Sequence, residues 1–276
     1  MKHMLKSAIA TFAVSFGLGV LATPASALQV KVTVTNFAPE NGIFIMQAWA
    51  AFHNGTFDTY NLGDPASLGI QRIAEDGLSA EMQNIFDSSG LGAVAGNVGP
   101  FGPSGPGGVK SAIFNLNPYN PLNRFFSFVE MIIPSNDAFF GNEDPGAYQI
   151  FGPGGTFIGQ DIVVLGSDVL DAGTEINDEI FADQNTAFFG QVAGNTGTDE
   201  NSVVHVHPGY IPGGEILSFV GNNGFFPVNF TNADFTQPTY AVARITVEAI
   251  DEPAMVSLVC AGLLGIGIAS RRKVRS

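Results

Sequence analysis

The residues best suited to chemistry in this sequence are oxygen donors, and they come in two bursts. In IIPSNDAFFGNEDPG, residues 132–146, an apolar run gives way to Ser135, Asn136, Asp137, Asn142, Glu143 and Asp144. In VLDAGTEINDE, residues 169–179, a second apolar run leads into Asp171, Glu175, Asp178 and Glu179. Calcium takes roughly six to eight oxygens from carboxylates and carbonyls on adjustable loops, and two acidic loops that follow strands can supply them. Asp171 and Glu175 fall in one turn, with Gly173 between them to let the chain fold back, and Asp137 would arrive from the neighbouring loop. Asn136, Asp144 and Asp178 form a second tier of donors. The competing reading is ordinary turn chemistry, in which Asp137 and Asp171 bond nearby backbone N–H groups.

A second constellation is HVHPGYIPGGE, where His205 and His207 stand at i and i+2 and so share one face of a strand, the arrangement of β-sandwich sites that hold a metal with two imidazoles. A third ligand is not evident: Glu215 lies beyond the Pro-Gly turn and His53 is far away in the chain. A hydrogen-bonded structural pair is the plainer account of the two rings. The sequence has no His-Glu-x-x-His, Gly-x-Ser-x-Gly or phosphate-binding Gly loop, and no Cys nucleophile. Acids are numerous enough for some to lie close together by chance, so their count does not argue for a glycosidase. Trp49 and the many Phe read as core residues, with a carbohydrate-stacking platform as the alternative.

The elements that must position these groups are strands. LQVKVTVTNF alternates Val30, Val32 and Val34 with Lys31, Thr33 and Thr35, the period-two pattern of a strand with one wet face. Residues 43–52, 124–133, 161–166, 202–207 and 240–250 are short, rich in β-branched and aromatic side chains, and bounded by Gly, Pro, Asn and Asp. Helical periodicity is confined to 65–86, where two short helices broken at Asp76-Gly77 are expected, with Ser79 as N-cap of the second. Residues 95–109 read as a Gly/Pro loop. The expected fold class is all-β: an antiparallel β-sandwich with short helices in an insertion.

The two ends speak to compartment. Met1–Ala27 has Lys2 and Lys6, an apolar stretch from Ala8 to Ala22, and ASA at 25–27, the layout of a secretory signal peptide cleaved after Ala27. Ala254–Ser270 is apolar and is followed by Arg271, Arg272, Lys273 and Arg275, which the positive-inside tendency keeps in the cytoplasm. Of the 11 Lys and Arg, six lie in these ends, so residues 28–250 hold five bases against 23 acids, a net charge of −18. Such a domain repels nucleic acid and anionic lipid and attracts divalent cations. The only cysteine, Cys260, is in the tail, so the domain is held by its core rather than by disulfides.

Two resemblances follow from these residues. Glu252-Pro253, a hydrophobic segment rich in small residues and then Arg-Arg-Lys resemble the PEP-CTERM sorting tail of Gram-negative bacteria, with Asp-Glu-Pro in place of Pro-Glu-Pro. That implies removal of 251–276 by an exosortase-type membrane protease; a plain C-terminal transmembrane helix is the alternative. FHNGTFDTYNLGDPASLGIQRIAEDG (52–77), FSFVEMIIPSNDAFFG (126–141) and VLDAGTE (169–175) resemble successive blocks of the spondin N-terminal domain of F-spondin and mindin. The resemblance implies a calcium-binding β-sandwich over 28–250, with Asp137, Asp171 and Glu175 as ligands. Here Leu170 replaces the family's Trp, Glu175 replaces an Asp, and the disulfides of animal members are absent. The combined expectation is an exported adhesion or binding protein of the cell envelope or matrix, not an enzyme, whose partner is an extracellular glycan or matrix protein. The runner-up is a secreted metal-dependent hydrolase or oxidase using His205 and His207.

Overall fold

The computed structural model describes residues 27–179, 197–222 and 227–250, so the expected signal peptide, apart from Ala27, and the expected sorting tail at 251–276 lie outside the described residues. In chain order the strands are β1 (Leu28–Asn36), β2 (Phe44–Ile45), β3 (Ala48–His53), β4 (Gly92–Val98), β5 (Val109–Leu116), β6 (Phe125–Ile133) and β7 (Ala138–Gly141). They continue with β8 (Gln160–Leu165), β9 (Leu170–Asp171), β10 (His205–Val206), β11 (Val220–Asn222), β12 (Pro227–Asn229) and β13 (Ala241–Ala249). One sheet has the order β5-β1-β13-β8; the second runs β10-β9-β7-β6-β3-β4, with β2 also paired to β6, and every pairing is antiparallel.

The expected β-sandwich is therefore present, and its burial explains the sequence patterns. In β1, Val30, Val32 and Val34 enter the core while Lys31, Thr33 and Thr35 stay partly exposed. Opposite them, Phe52, Phe126, Phe128 and Phe140 of the second sheet join the same cluster. The second sheet is also covered on its other face, by helices α1 (Leu68–Asp76) and α2 (Ala80–Ser89), through Trp49, Phe57, Ile70, Ile73, Met82 and Phe86. With both faces dry, β3 and most of β6 show continuous apolar runs instead of alternation. Trp49 is a core residue, packed edge-on to Phe86 at 5.7 Å with its Nε1–H donating to Gln83 Oε1 at 3.0 Å. Removing it would cost about 3–5 kcal/mol.

Several boundaries differ from the sequence reading. The run at 43–52 breaks into β2 and β3: both pair with β6, but the register shifts by one residue between Ile45↔Ile132 and Trp49↔Val129, and Ile45 also exchanges backbone hydrogen bonds with Ser104 at 3.1 and 2.7 Å. Residues 92–98, partly read as loop, form strand β4, whose small side chains leave room for α2. A Cβ on Gly92 would lie 2.1 Å from the Phe86 ring. The two helices break as expected, at Gly77 with φ +67°. Ser67 caps α1 by accepting from Ile70 N at 3.2 Å, whereas Ser79 occupies the cap position of α2 without capping it and donates to Asn97 Oδ1 at 2.7 Å. Of 202–207, only His205–Val206 forms a strand.

Candidate functional site

The two acidic bursts meet at one end of the second sheet. Ala138 and His205 both stand opposite Asp171 in the strand register, and Ala172 N donates to the Asp137 carbonyl at 3.1 Å, so the start of β7, the end of β9 and β10 lie side by side. The turn after Asp171 is closed by its own side chain, whose Oδ1 accepts from Gly173 N at 2.7 Å. Gly173 has φ +68° and sits where a Cβ would come within 2.6 Å of the Val203 carbonyl oxygen, so the position takes only glycine without strain.

The resulting loop wraps the Asp137 carboxylate. Oδ2 accepts from Thr174 N at 2.7 Å, from Glu175 N at 3.0 Å and from Thr174 Oγ1 at 3.2 Å. Oδ1 is buried and makes no hydrogen bond. Asp171 Oδ2 accepts from Asn177 Nδ2 and lies 3.8 Å from His205 Nε2. Glu175 Oε1 accepts from Gly197 N at 3.0 Å. The three residues singled out in the sequence are thus brought together.

A fourth carboxyl joins them from a part of the chain that the sequence did not connect to the site. Glu75, in the last turn of α1, accepts from Gln71 at 2.8 Å, and the Thr174 hydroxyl is in hydrogen-bonding contact with both Glu75 and Asp137. Exposure is 4% for Glu75, 0% for Asp137 and Asp171, and 3% for Glu175. Burial, followed by the neighbouring Asp171, pushes Asp137 up to about 7. Burial, followed by Glu75, pushes Glu175 up to about 7. Burial also raises Glu75. N–H donors hold these acids in place, and among the described residues Arg72 stands 3.7 Å from Glu75.

The second-tier residues disperse. Asn136 is buried beside the cluster, Asp178 is half-buried, and Asp144 is exposed in a turn of its own, accepting from Gly146 N at 2.7 Å. Glu179 was only one acid of the second burst in sequence, yet its carboxylate clamps the following segment, accepting from Ile211 N at 2.6 Å and Ile216 N at 3.2 Å.

The histidines occupy different environments. His205 donates from Nδ1 to the Val203 carbonyl at 2.9 Å and turns its Nε2 toward Asp171 Oδ2 at 3.8 Å. His207 accepts at Nδ1 from Gly209 N at 3.0 Å, so the neutral ring carries its proton on Nε2, a buried atom with no hydrogen bond. Burial lowers His207 to about 4. His53 is taken up elsewhere, bonded to Ser127 Oγ at 2.9 Å, and Glu215 is exposed. Among the described residues, no group of three or more His, Cys, Asp or Glu side chains is arranged to hold a metal ion as it stands. Compared with known proteins, the chain matches no family model and no curated protein.

Proposed function

We propose that the protein is an exported, non-enzymatic binding or adhesion protein of the cell envelope or extracellular matrix, with loops ordered by calcium. The observation that carries the calcium reading is the buried, unbonded Oδ1 of Asp137 within a group of four buried carboxyls. Buried like charges cannot all ionise without compensation, and an all-oxygen donor set on loops suits a hard cation. Asp137, Asp171 and Glu175 would hold the ion, with Glu75 as a further carboxylate. Bound there, calcium would supply the missing positive charge and tie α1 to the two loops. The spondin-like blocks and the export and sorting segments support placement outside the cell, where the partner would be a glycan or matrix protein. An exosortase-type protease would release the tail.

The test is metal analysis and thermal melting of the purified protein, beside a pull-down on native matrix with and without chelator. Calcium as the sole stoichiometric metal, a melting point lowered by chelator, and retention on matrix are expected. Stoichiometric zinc or copper, with turnover lost in a His205→Ala/His207→Ala double variant, would replace this reading with a metal-dependent enzyme. Mass spectrometry of protein from its native host should place the C-terminus close to Pro253; an intact tail in the membrane fraction would make it a permanent anchor.

A further inference from the structure

An open groove of about 630 Å³ lies away from the acidic cluster, between the turn at 39–42, the loop around Pro106 and Gly107, and the paired strands β11 and β12. Its volume falls within the roughly 300–1,000 Å³ typical of small-ligand sites. The floor is apolar and fixed: Val228 is buried, and the Phe44 ring packs edge-on against Phe230 at 5.8 Å. Val220 stands on the wall at 68% exposure.

The rim is polar, and its backbone is held so that side chains remain available. Asn232 clamps the 39–42 turn from behind, donating from N to the Asn41 carbonyl at 3.0 Å and from Nδ2 to the Glu40 carbonyl at 2.8 Å. Gly42 N closes the turn on the Pro39 carbonyl at 2.8 Å, and Asn41 sits at φ +64°, a left-handed conformation that Asn tolerates better than most residues. The side chains of Glu40 and Asn41 make no hydrogen bond among the described residues, and Asn229 spends its Oδ1 on Thr231, leaving its NH₂ hydrogens to donate. One carboxylate and two carboxamides thus offer both acceptors and donors around an apolar floor.

We propose that this groove binds the end or side of a neutral glycan chain. A pyranose ring has an apolar C–H face and an equatorial rim of hydroxyls, each able to donate and accept, which matches an apolar floor edged by amide and carboxylate groups. A lipid chain would leave the rim carboxylate and amides unsatisfied, and an acidic glycan would meet both Glu40 and a domain of net charge −18. The inference rests on the binding reading above and gives it a site and a ligand class.

The experiment titrates the purified protein with soluble neutral glucan and galactan oligosaccharides, with polygalacturonate oligomers as the acidic comparison, and repeats the matrix pull-down. Saturable binding of at least one neutral oligosaccharide is expected. Val220→Arg, at an exposed position, and Asn41→Gly, which keeps the left-handed turn, should each weaken it at least tenfold with the melting temperature unchanged. Equal affinity in Val220→Arg, or preference for the acidic oligomers, overturns the assignment. If the wild-type protein is retained on matrix but binds no neutral oligosaccharide, the groove proposal fails while the adhesion reading stands. If it is neither retained nor binds any oligosaccharide, both fail.

Discussion

Asp137 and Glu130 are both 0% exposed, and each keeps at least one carboxyl oxygen without a hydrogen bond, yet their surroundings differ. Glu130 lies in the middle of β6, at the same parity as Phe126, Phe128 and Ile132, so it points between the sheets. There the backbone groups are committed to the ladder, and neither carboxyl oxygen finds a donor. Burial pushes Glu130 well above the usual carboxylate range, against a smaller pull from Lys110, whose ammonium is itself bonded to the Met46 carbonyl at 3.2 Å and to that of Gly102. Burial at this strand position favours the protonated, neutral form of the acid. Asp137 ends the loop just before β7, where backbone N–H groups converge on Oδ2 and three other carboxyls gather. The difference is positional: the mid-strand acid has no donor within reach and favours its protonated form, while the acid at the loop is met by backbone N–H donors and neighbouring carboxyls.

The largest effect that sharpens this contrast is at the loop. With calcium at 100 times its dissociation constant, linkage adds about 2.7 kcal/mol to stability. Asp171→Ala should remove most of that increment, read as melting curves that no longer respond to calcium. A calcium shift of wild-type size in that variant would break the comparison on the loop side. At the strand, Glu130→Met should stabilise the protein by about 1–2 kcal/mol, because a buried carboxyl without partners is exchanged for apolar volume. That gain should be the same with and without calcium in chemical denaturation; a loss of stability would mean that Glu130 has a role its surroundings do not reveal. The smallest effect is expected for Glu75→Gln, which keeps the contact with Thr174 but removes one charge, and should weaken calcium by about 1 kcal/mol in a calorimetric titration. Unchanged affinity would take α1 out of the site.

How much of this was legible beforehand depended on whether a residue's environment is local. The alternation of β1 was readable because one face is wet, and the continuous runs of β3 and β6 because both faces are dry. Asp137, Asp171 and Glu175 stood out because their loops are dense in oxygen over a few positions. β4 was partly missed because GAVAGNV has no apolar period and becomes a strand through its pairing with β3. Glu75 was missed for a related reason: it lies in a helix far along the chain from both acidic loops, and only the packing of α1 buries it beside them. The groove draws on residues near 40 and 106, on Val220 and Gly221, and on Val228 and Asn229, positions that nothing in the linear sequence connects.

The most direct test is the calcium-induced shift in melting temperature at pH 5 and at pH 8. In the folded, calcium-free protein Asp137 and Glu175 titrate near 7, above their ordinary values of 3.8 and 4.5. A raised folded-state value gives stability that is complete below the unfolded-state value and is lost as pH rises through the folded one. The calcium-free protein should therefore be less stable at pH 8 than at pH 5 on account of these groups, and calcium, which needs the carboxylates ionised, should restore the loss at pH 8 and do little at pH 5. A shift of several degrees at pH 8 that shrinks toward zero at pH 5 is the predicted result. No shift at pH 8, or an equal shift at both pH values, would contradict the account.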